Sequence, residues 1–405
     1  MSFYFAIPAL GAAAPLLVLP ALTSRYGSEA WASVAIAQSI GAAFAIIGEL
    51  GWGVVGPQRV AGAPNKQGQE LIYRSALVTK AMSLALLSPL AGASAFMLST
   101  DFRIESAILA AGISLGALSP SWYFIGQGKP LHVLFSDSLP RLLLNILSAI
   151  ALAVGAPVIV YVLVMLGLPI VTQIISLSII GRGALIHIAD TKSAPAILRG
   201  QLIMAGGRTV SVLYTSLPIA MVAMVAPSAV PLYSASERLM RMALTVLSGV
   251  PSRLQSWIGS SNGDEKVKRN RDSIVYNSLV GVVCGLGFTF LAPLASRFIF
   301  SGEVNIPFSV SVFSGILLCT ICISRGLGLS LVSFGGANLI TIAIVAAALS
   351  GSLTIIPLTL VLGVIGPIIG ETIAEVMGLL MQVGLLSRLR KRLMAQRFFS
   401  PDANK

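Results

Sequence analysis

An all-α polytopic membrane protein is what this sequence predicts, and three observations predict it. Of its 405 residues, 56% are hydrophobic and only 10% charged, and the mean hydropathy is +0.89. A soluble globular chain carries about 25% charged residues. The apolar residues fall in runs long enough to cross a bilayer, which takes about 20 helical residues. The 27 lysines and arginines gather between those runs, so the net charge of +12 reads as the positive-inside pattern of a membrane chain and not as a nucleic-acid surface.

Taken in order, the runs divide the chain into twelve spans near residues 3–22, 31–52, 76–98, 104–125, 139–154, 157–180, 202–226, 232–256, 273–295, 307–331, 338–356 and 358–386. Turn residues punctuate them: Ser24-Arg25-Tyr26-Gly27, Gly155-Ala156-Pro157 and Ser333-Phe334-Gly335-Gly336. Between the last two spans the only punctuation is Gly351 to Pro357. The first span runs on from Phe3 without a basic leader or A-x-A site, so no cleavable signal is expected. The longest connection, Gly181 to Gln201, separates six spans from six. The expected organisation is therefore two six-helix lobes, 1–190 and 191–386, around a central cavity, with a basic tail at 387–405.

With twelve spans both termini share one side with the loops rich in lysine and arginine. Only Arg25, Arg103 and Arg297 fall on the other side, so both termini are expected in the cytoplasm. The tail from Ser387 to Phe399 is a basic amphipathic stretch suited to anionic membrane lipid. Cys319 and Cys322 are a C-x-x-C at helical spacing inside an apolar run, which points to packing and not to zinc or redox chemistry. The histidines, His132 and His187, complete no ligand set, and no metal or cofactor is expected.

The stretch Leu232 to Pro251 stands apart from the other spans. Apolar enough to cross a bilayer, it carries Glu237, Arg238 and Arg241. Each ionisable group at that depth costs about 2.5–3.5 kcal/mol on insertion scales, so it marks a functional position by default. On a helical period Ser234, Arg238, Arg241, Thr245, Ser248 and Ser252 share one face, while Leu239, Ala243, Val246, Leu247 and Val250 share the other. The planar guanidinium fork suits phosphate or carboxylate. Arg325, in span ten, is a further anion contact or a residue reaching for the interface. Four glutamates are candidates for H+ or Na+ coupling: Glu49, Glu237, and the pair Glu371 and Glu375, one turn apart, which cannot both ionise cheaply in a low dielectric. No phosphate loop for ATP and no hydrolytic or redox constellation is present, and the loops are too short for a catalytic domain.

Three stretches resemble the polysaccharide-transporter, or Wzx-type, flippases of the multidrug/oligosaccharidyl-lipid/polysaccharide (MOP) exporter superfamily. They are Ser24 to Ala61 (SRYGSEAWASVAIAQSIGAAFAIIGELGWGVVGPQRVA), Ser119 to Pro130 (SPSWYFIGQGKP) and Pro231 to Ala243 (PLYSASERLMRMA), in the family's order along the chain. The resemblance implies a MATE-like flippase passing an undecaprenyl-diphosphate-linked oligosaccharide across a bacterial inner membrane for surface polysaccharide. Its partners would be that lipid-linked oligosaccharide, membrane lipids and the polymerase or export machinery. It implies diphosphate contacts at Arg238, by motif, and at Arg241 and Arg325, by character. Ser234, Thr245, Ser248, Trp122 and Tyr123 would face the sugar. The chain departs from the family at its start, where fewer residues precede the first span, and none of the family's coupling residues maps onto Glu371 or Glu375.

The competing expectations are a multidrug exporter of the same fold, a lipid II flippase, a membrane-embedded glycosyltransferase or polymerase, and a passive scaffold. Arginines in the cavity oppose organic cations, the chain lacks the two further helices usual for lipid II flippases, and a scaffold leaves the buried arginines unexplained.

Overall fold

The computed structural model describes residues 17–181, 217–247, 250–251, 254, 257–258, 261 and 263–399. Among them the regular elements are all helical. They are α1 (Leu19–Gly48), α2 (Trp52–Ala61), α3 (Lys66–Leu98), α4 (Arg103–Ser114), α5 (Ser121–Gly126), α6 (Leu139–Ala153) and α7 (Val158–Ile180). Then follow α8 (Pro218–Val225), α9 (Val230–Leu247), α10 (Gly263–Ile299), α11 (Phe308–Ser333), α12 (Ala337–Leu362) and α13 (Ile365–Phe399). Nine helical stretches among the described residues are long and apolar enough to cross a membrane. The chain is a multi-pass membrane protein. Most of the expected spans 3–22 and 202–226, together with Ser248, His187 and the connection after Gly181, lies outside the described residues.

Several boundaries differ from the sequence expectation for identifiable reasons. The predicted turn at residues 24–27 is a sharp break at Gly27 (φ 77°, ψ −176°) within α1, a conformation glycine adopts without steric cost. α3 begins ten residues earlier than the expected 76, because Asn65 caps it, its side chain accepting from the Gly68 amide at 2.9 Å. The last two spans separate at Gly363 (φ 59°) and not before Pro357, which sits inside α12. A proline within a membrane helix is tolerated where neighbouring helices support the freed carbonyl. α10 starts at Gly263 instead of 273; at 37 residues it is about 55 Å long, well beyond the roughly 30 Å of hydrocarbon. Its first turns hold Asp264, Glu265, Lys266, Lys268, Arg269 and Arg271.

Two compact units make up the chain, residues 1–234 with 296–305, and 235–295 with 306–405. In the first, α1, α3, α4 and α7 pack on small residues. A methyl group at Gly41 of α1 would lie 2.7 Å from the Ala110 carbonyl oxygen of α4, and one at Gly112 would lie 2.8 Å from the Leu166 Cα of α7. Such close backbone approach is how membrane helices associate without a hydrophobic drive between them. Trp31 is buried against Phe300 and donates its indole N–H to the Pro231 carbonyl at 3.2 Å, which ties the 296–305 segment into this unit.

In the second unit, α13 presents Gly366, Gly370, Ala374 and Gly378 at four-residue intervals to α12. Gly366 lies against the Leu358 carbonyl, and a Cβ at Gly370 would stand 2.9 Å from the Ile355 Cα. Gly370→Leu is therefore expected to force the two helices apart and lower the thermal unfolding midpoint of the purified protein, by at least the 1–3 kcal/mol usual for overpacking. Gly384→Leu, where a Cβ meets nothing within 4 Å, is the control; equal midpoints for the two variants would contradict this packing. Cys284, Cys319 and Cys322 are free thiols. A Cβ at Gly281 of α10 would stand 2.8 Å from the Cys322 Cβ, so this cysteine is a packing residue between α10 and α11.

Candidate substrate site

The charged span lies in α9. After the turn at Pro227–Ala229, its first residues are enclosed: Tyr233, Ser234, Ala235 and Ser236 are buried. Ser234 gives its hydroxyl proton to the Pro231 carbonyl at 3.2 Å, and Ser236 shares a 2.7 Å hydrogen bond with Ser314 of α11. Glu237 is 9% exposed, and its Oε1 accepts from Nε of Arg241, whose side chain is 42% exposed. A buried carboxylate thus fixes a half-exposed guanidinium one turn further on. Thr245 donates to the Arg241 carbonyl at 2.8 Å, and Arg325 of α11 donates to the Leu244 carbonyl at 3.2 Å.

The structure therefore brings Glu237, Arg241, Thr245 and Arg325 to one stretch of α9, with Arg238 half-buried beside them. Val246, on the predicted apolar face, is 80% exposed, as a lipid-facing side chain would be. Glu371 of α13 is buried at 4% exposure, and Glu375 is half-buried one turn on.

In the first unit the expected helix 104–125 is interrupted. α4 tightens into a 3₁₀ turn at Leu115–Leu118, and α5 starts only after Ser119-Pro120. The break frees the carbonyls of Ala117 and Leu118 from helical hydrogen bonding. Two side chains take them. Lys80 of α3, 1% exposed, donates from Nζ to the Ala117 oxygen at 2.8 Å, and the Gln173 amide of α7 donates to the Leu118 oxygen. The Lys80 ammonium also lies 5.4 Å from the Trp122 ring centroid, within electrostatic reach of Glu49, whose carboxylate rests against Gly53.

Trp122 and Tyr123, expected to face a sugar, are instead enclosed at 5% and 1% exposure among Trp52, Tyr73 and Phe124. Trp52 donates its indole N–H to Thr79 at 3.0 Å, and the Tyr73 hydroxyl donates to Gln173 Oε1 at 2.7 Å. Gln127 donates to the Tyr123 hydroxyl at 3.1 Å and to Gln69 Oε1 at 2.9 Å. In this arrangement the rings and amides brace the broken helix.

A second polar group escaped the sequence reading. The span ending at Ala153 begins at Leu131, not 139, with a π turn at Leu134–Ser138 leading into α6. That start draws Asp137, which lies outside the expected span, into the spanning helix, where it forms an i, i+4 pair with Arg141 at 3.2 Å. Ser121 of α5 donates to the other Asp137 oxygen at 3.0 Å and lies 3.0 Å from Ser119. The pair opens on a cavity of about 70 Å³ lined also by Gly116, Ser119, Pro169 and Thr172. Opposite charges at helical spacing in Ser-Asp-Ser-Leu-Pro-Arg were the available signal; the expected start at 139 cut it in two. No group of three or more metal-ligating side chains is found among the described residues.

A family model described as "Polysaccharide biosynthesis protein" matches residues 2–253, more than half of the chain. A search of curated protein sequences finds no significant match. Among solved structures the chain is similar to an inward-facing multidrug resistance MATE family transporter of the MOP superfamily, with TM-score 0.74 and 16% identity over 96% of this chain and 99% of that one. It is also similar to the lipid II flippase MurJ in an inward closed conformation, with TM-score 0.70 and 16% identity over 95% of this chain and 87% of that one. An outward-facing MATE transporter aligns with TM-score 0.56 and 16% identity, covering 96% of this chain and 95% of that one. At such identities the likeness speaks for the fold, and the family match for descent. The chain belongs to the polysaccharide biosynthesis protein family and has the MATE-like fold of the MOP-superfamily transporters.

Proposed function

We propose that the chain is a flippase that carries undecaprenyl-diphosphate-linked oligosaccharide across the bacterial cytoplasmic membrane by alternating access, for assembly of a surface polysaccharide. The observation that carries this reading is the arrangement on α9, where buried Glu237 holds a half-exposed Arg241 and Arg325 reaches the same helix. A diphosphate bearing sugars is anionic and strongly hydrated, so its unaided passage through hydrocarbon is prohibitive. Guanidinium groups held in a transporter interior replace the lost hydration with charge-assisted hydrogen bonds. Arg238, Arg241 and Arg325 are the residues we assign to the diphosphate, with Thr245 beside them. Membership in a polysaccharide biosynthesis family and a fold shared with a lipid II flippase both support the assignment.

Within this reading both termini lie in the cytoplasm, residues 1–190 and 191–386 are the moving lobes, and a polysaccharide polymerase receives the product. The absence of an ATP-binding loop leaves an ion gradient or the substrate's own imbalance as the driving force. Glu371 and Glu375 are the carboxylates we assign to ion coupling, because two carboxylates one turn apart, one buried and one half-buried, interact too strongly in a low dielectric to ionise independently. Glu371→Gln with Glu375→Gln is expected to remove the dependence of transport on a proton gradient.

The test is reconstitution in vesicles with fluorescent undecaprenyl-diphosphate-linked saccharide in one leaflet. Chemical quenching from the opposite side should reveal protein-dependent translocation. Export of organic cations together with an immobile lipid-linked saccharide would replace this reading with the multidrug one.

A further inference from the structure

We propose that the cavity beside the Asp137–Arg141 pair is a saccharide subsite, engaging the hydroxyl groups of a sugar in the transported head group. The inference rests on the flippase reading above and adds to it a site inside the first unit, lined by helices other than α9. Three observations carry it.

The first is depth. Asp137 and Arg141 stand six and ten residues beyond Leu131, where the spanning helix begins, hence about 9 and 15 Å along it. Charges that far into a span are costly, and where retained they mark substrate pathways by default.

The second is the chemistry of the lining. Asp137 offers carboxylate oxygens and Arg141 guanidinium N–H groups, while Ser119 and Thr172 add hydroxyls that both donate and accept. The ion pair uses one Arg141 nitrogen, and the side chains of Arg141 and Asp137 are 36% and 17% exposed, so both reach the cavity. A carboxylate beside a guanidinium, with hydroxyls around them, matches the alternating donors and acceptors of a sugar diol. It matches neither a bare cation, which Arg141 repels, nor a bare anion, which Asp137 repels.

The third is the space. Gly116 lines the cavity, and a Cβ there would meet nothing within 4 Å. At about 70 Å³ the cavity exceeds the 10–15 Å³ that one water needs and admits the edge of a pyranose ring. Ile113, Met165, Leu168 and Pro169 supply apolar wall for the ring carbons. The π turn at Leu134–Ser138 that introduces the pair is a helix irregularity often found at functional sites. Trp122 and Tyr123, the aromatic residues the sequence suggested for sugar, are enclosed elsewhere.

The test compares two probes by native mass spectrometry on the full chain: bare undecaprenyl diphosphate, and the lipid-linked saccharides extracted from the protein's own host membranes. The wild-type chain should retain the sugar-bearing lipid about tenfold better, the worth of one or two neutral hydrogen bonds. Gly116→Leu, which fills the cavity without touching a charge, and Asp137→Asn should each bring that ratio close to unity. Binding of bare undecaprenyl diphosphate is the control that each variant is folded. A wild-type chain without preference for the sugar-bearing lipid, or variants that keep the preference, would overturn the subsite and leave the flippase reading standing. A wild-type chain that binds neither lipid would overturn both.

Discussion

Cells whose only copy of this protein carries Arg238→Ala with Arg241→Ala are expected to make no surface polymer, although the protein still inserts. Each charge-assisted hydrogen bond to phosphate contributes about 1.5–3 kcal/mol, or about 10- to 150-fold in affinity, and the double variant loses both residues. Insertion should survive, because removing two arginines makes α9 easier to place in a membrane. Arg241→Ala alone leaves Glu237, 9% exposed, without the guanidinium that its Oε1 accepts from, so part of its effect will be on stability. The pair Glu237→Gln with Arg241→Gln separates the two contributions, since it removes both charges together and leaves no buried carboxylate without its cation. Surface polymer measured by electrophoresis and antibody staining decides the matter, alongside protein level by blotting. Normal polymer in the double alanine variant would refute a role for these arginines in transport.

The second large effect is expected at Lys80. Its ammonium caps the Ala117 carbonyl where the helix breaks before Pro120. Lys80→Ala leaves that carbonyl without its donor, at about 1–3 kcal/mol, and strips away methylenes worth about 0.8 kcal/mol each. The sum, about 3–5 kcal/mol, is a large share of the stability of an ordinary domain. Lys80→Met keeps the volume and removes the buried charge along with the donor, so it should fall between the wild type and Lys80→Ala. Thermal unfolding of the detergent-purified protein, followed by tryptophan fluorescence, gives the order. Lys80→Ala with an unshifted midpoint would mean that the carbonyl has another partner.

Much of the fold was legible in the sequence because hydrocarbon thickness sets a ruler that apolar runs obey. The break at Gly27, the turn that ends at Pro157 and the start of α11 at Phe308 all fall within a few residues of expectation. The errors are instructive. A hydropathy ruler tends to stop at a charge, so it trimmed α3 back to 76, α10 to 273 and the span ending at Ala153 to 139, where the helices run on through Arg74, Arg271 and Asp137. Helix ends are decided by caps and backbone angles, such as Asn65 at the start of α3 and Gly363 at the close of α12, and such local chemistry does not register as polarity.

At the candidate site, the periodicity of α9 identified Arg241 and Thr245 on one side, but the same face begins with Ser234, which is fully enclosed. Periodicity says which residues share a face and not what covers it. Trp122 and Tyr123 were singled out for a chemistry that suits sugars, and packing has used it to support a broken helix. The partnership of Lys80 with a backbone carbonyl could not be read, since it joins residues 37 apart through an irregular turn.

The widened turn at Leu134–Ser138 accommodates one residue more than a regular helix would need there. Deleting a single residue from it would let the helix close into regular turns with the residues on either side left nearly in register, because the extra residue is taken up inside the turn. Asp137 lies within that turn, so the deletion would change the angle at which its carboxylate meets Ser121 and Arg141. One codon therefore sets the aim of that carboxylate.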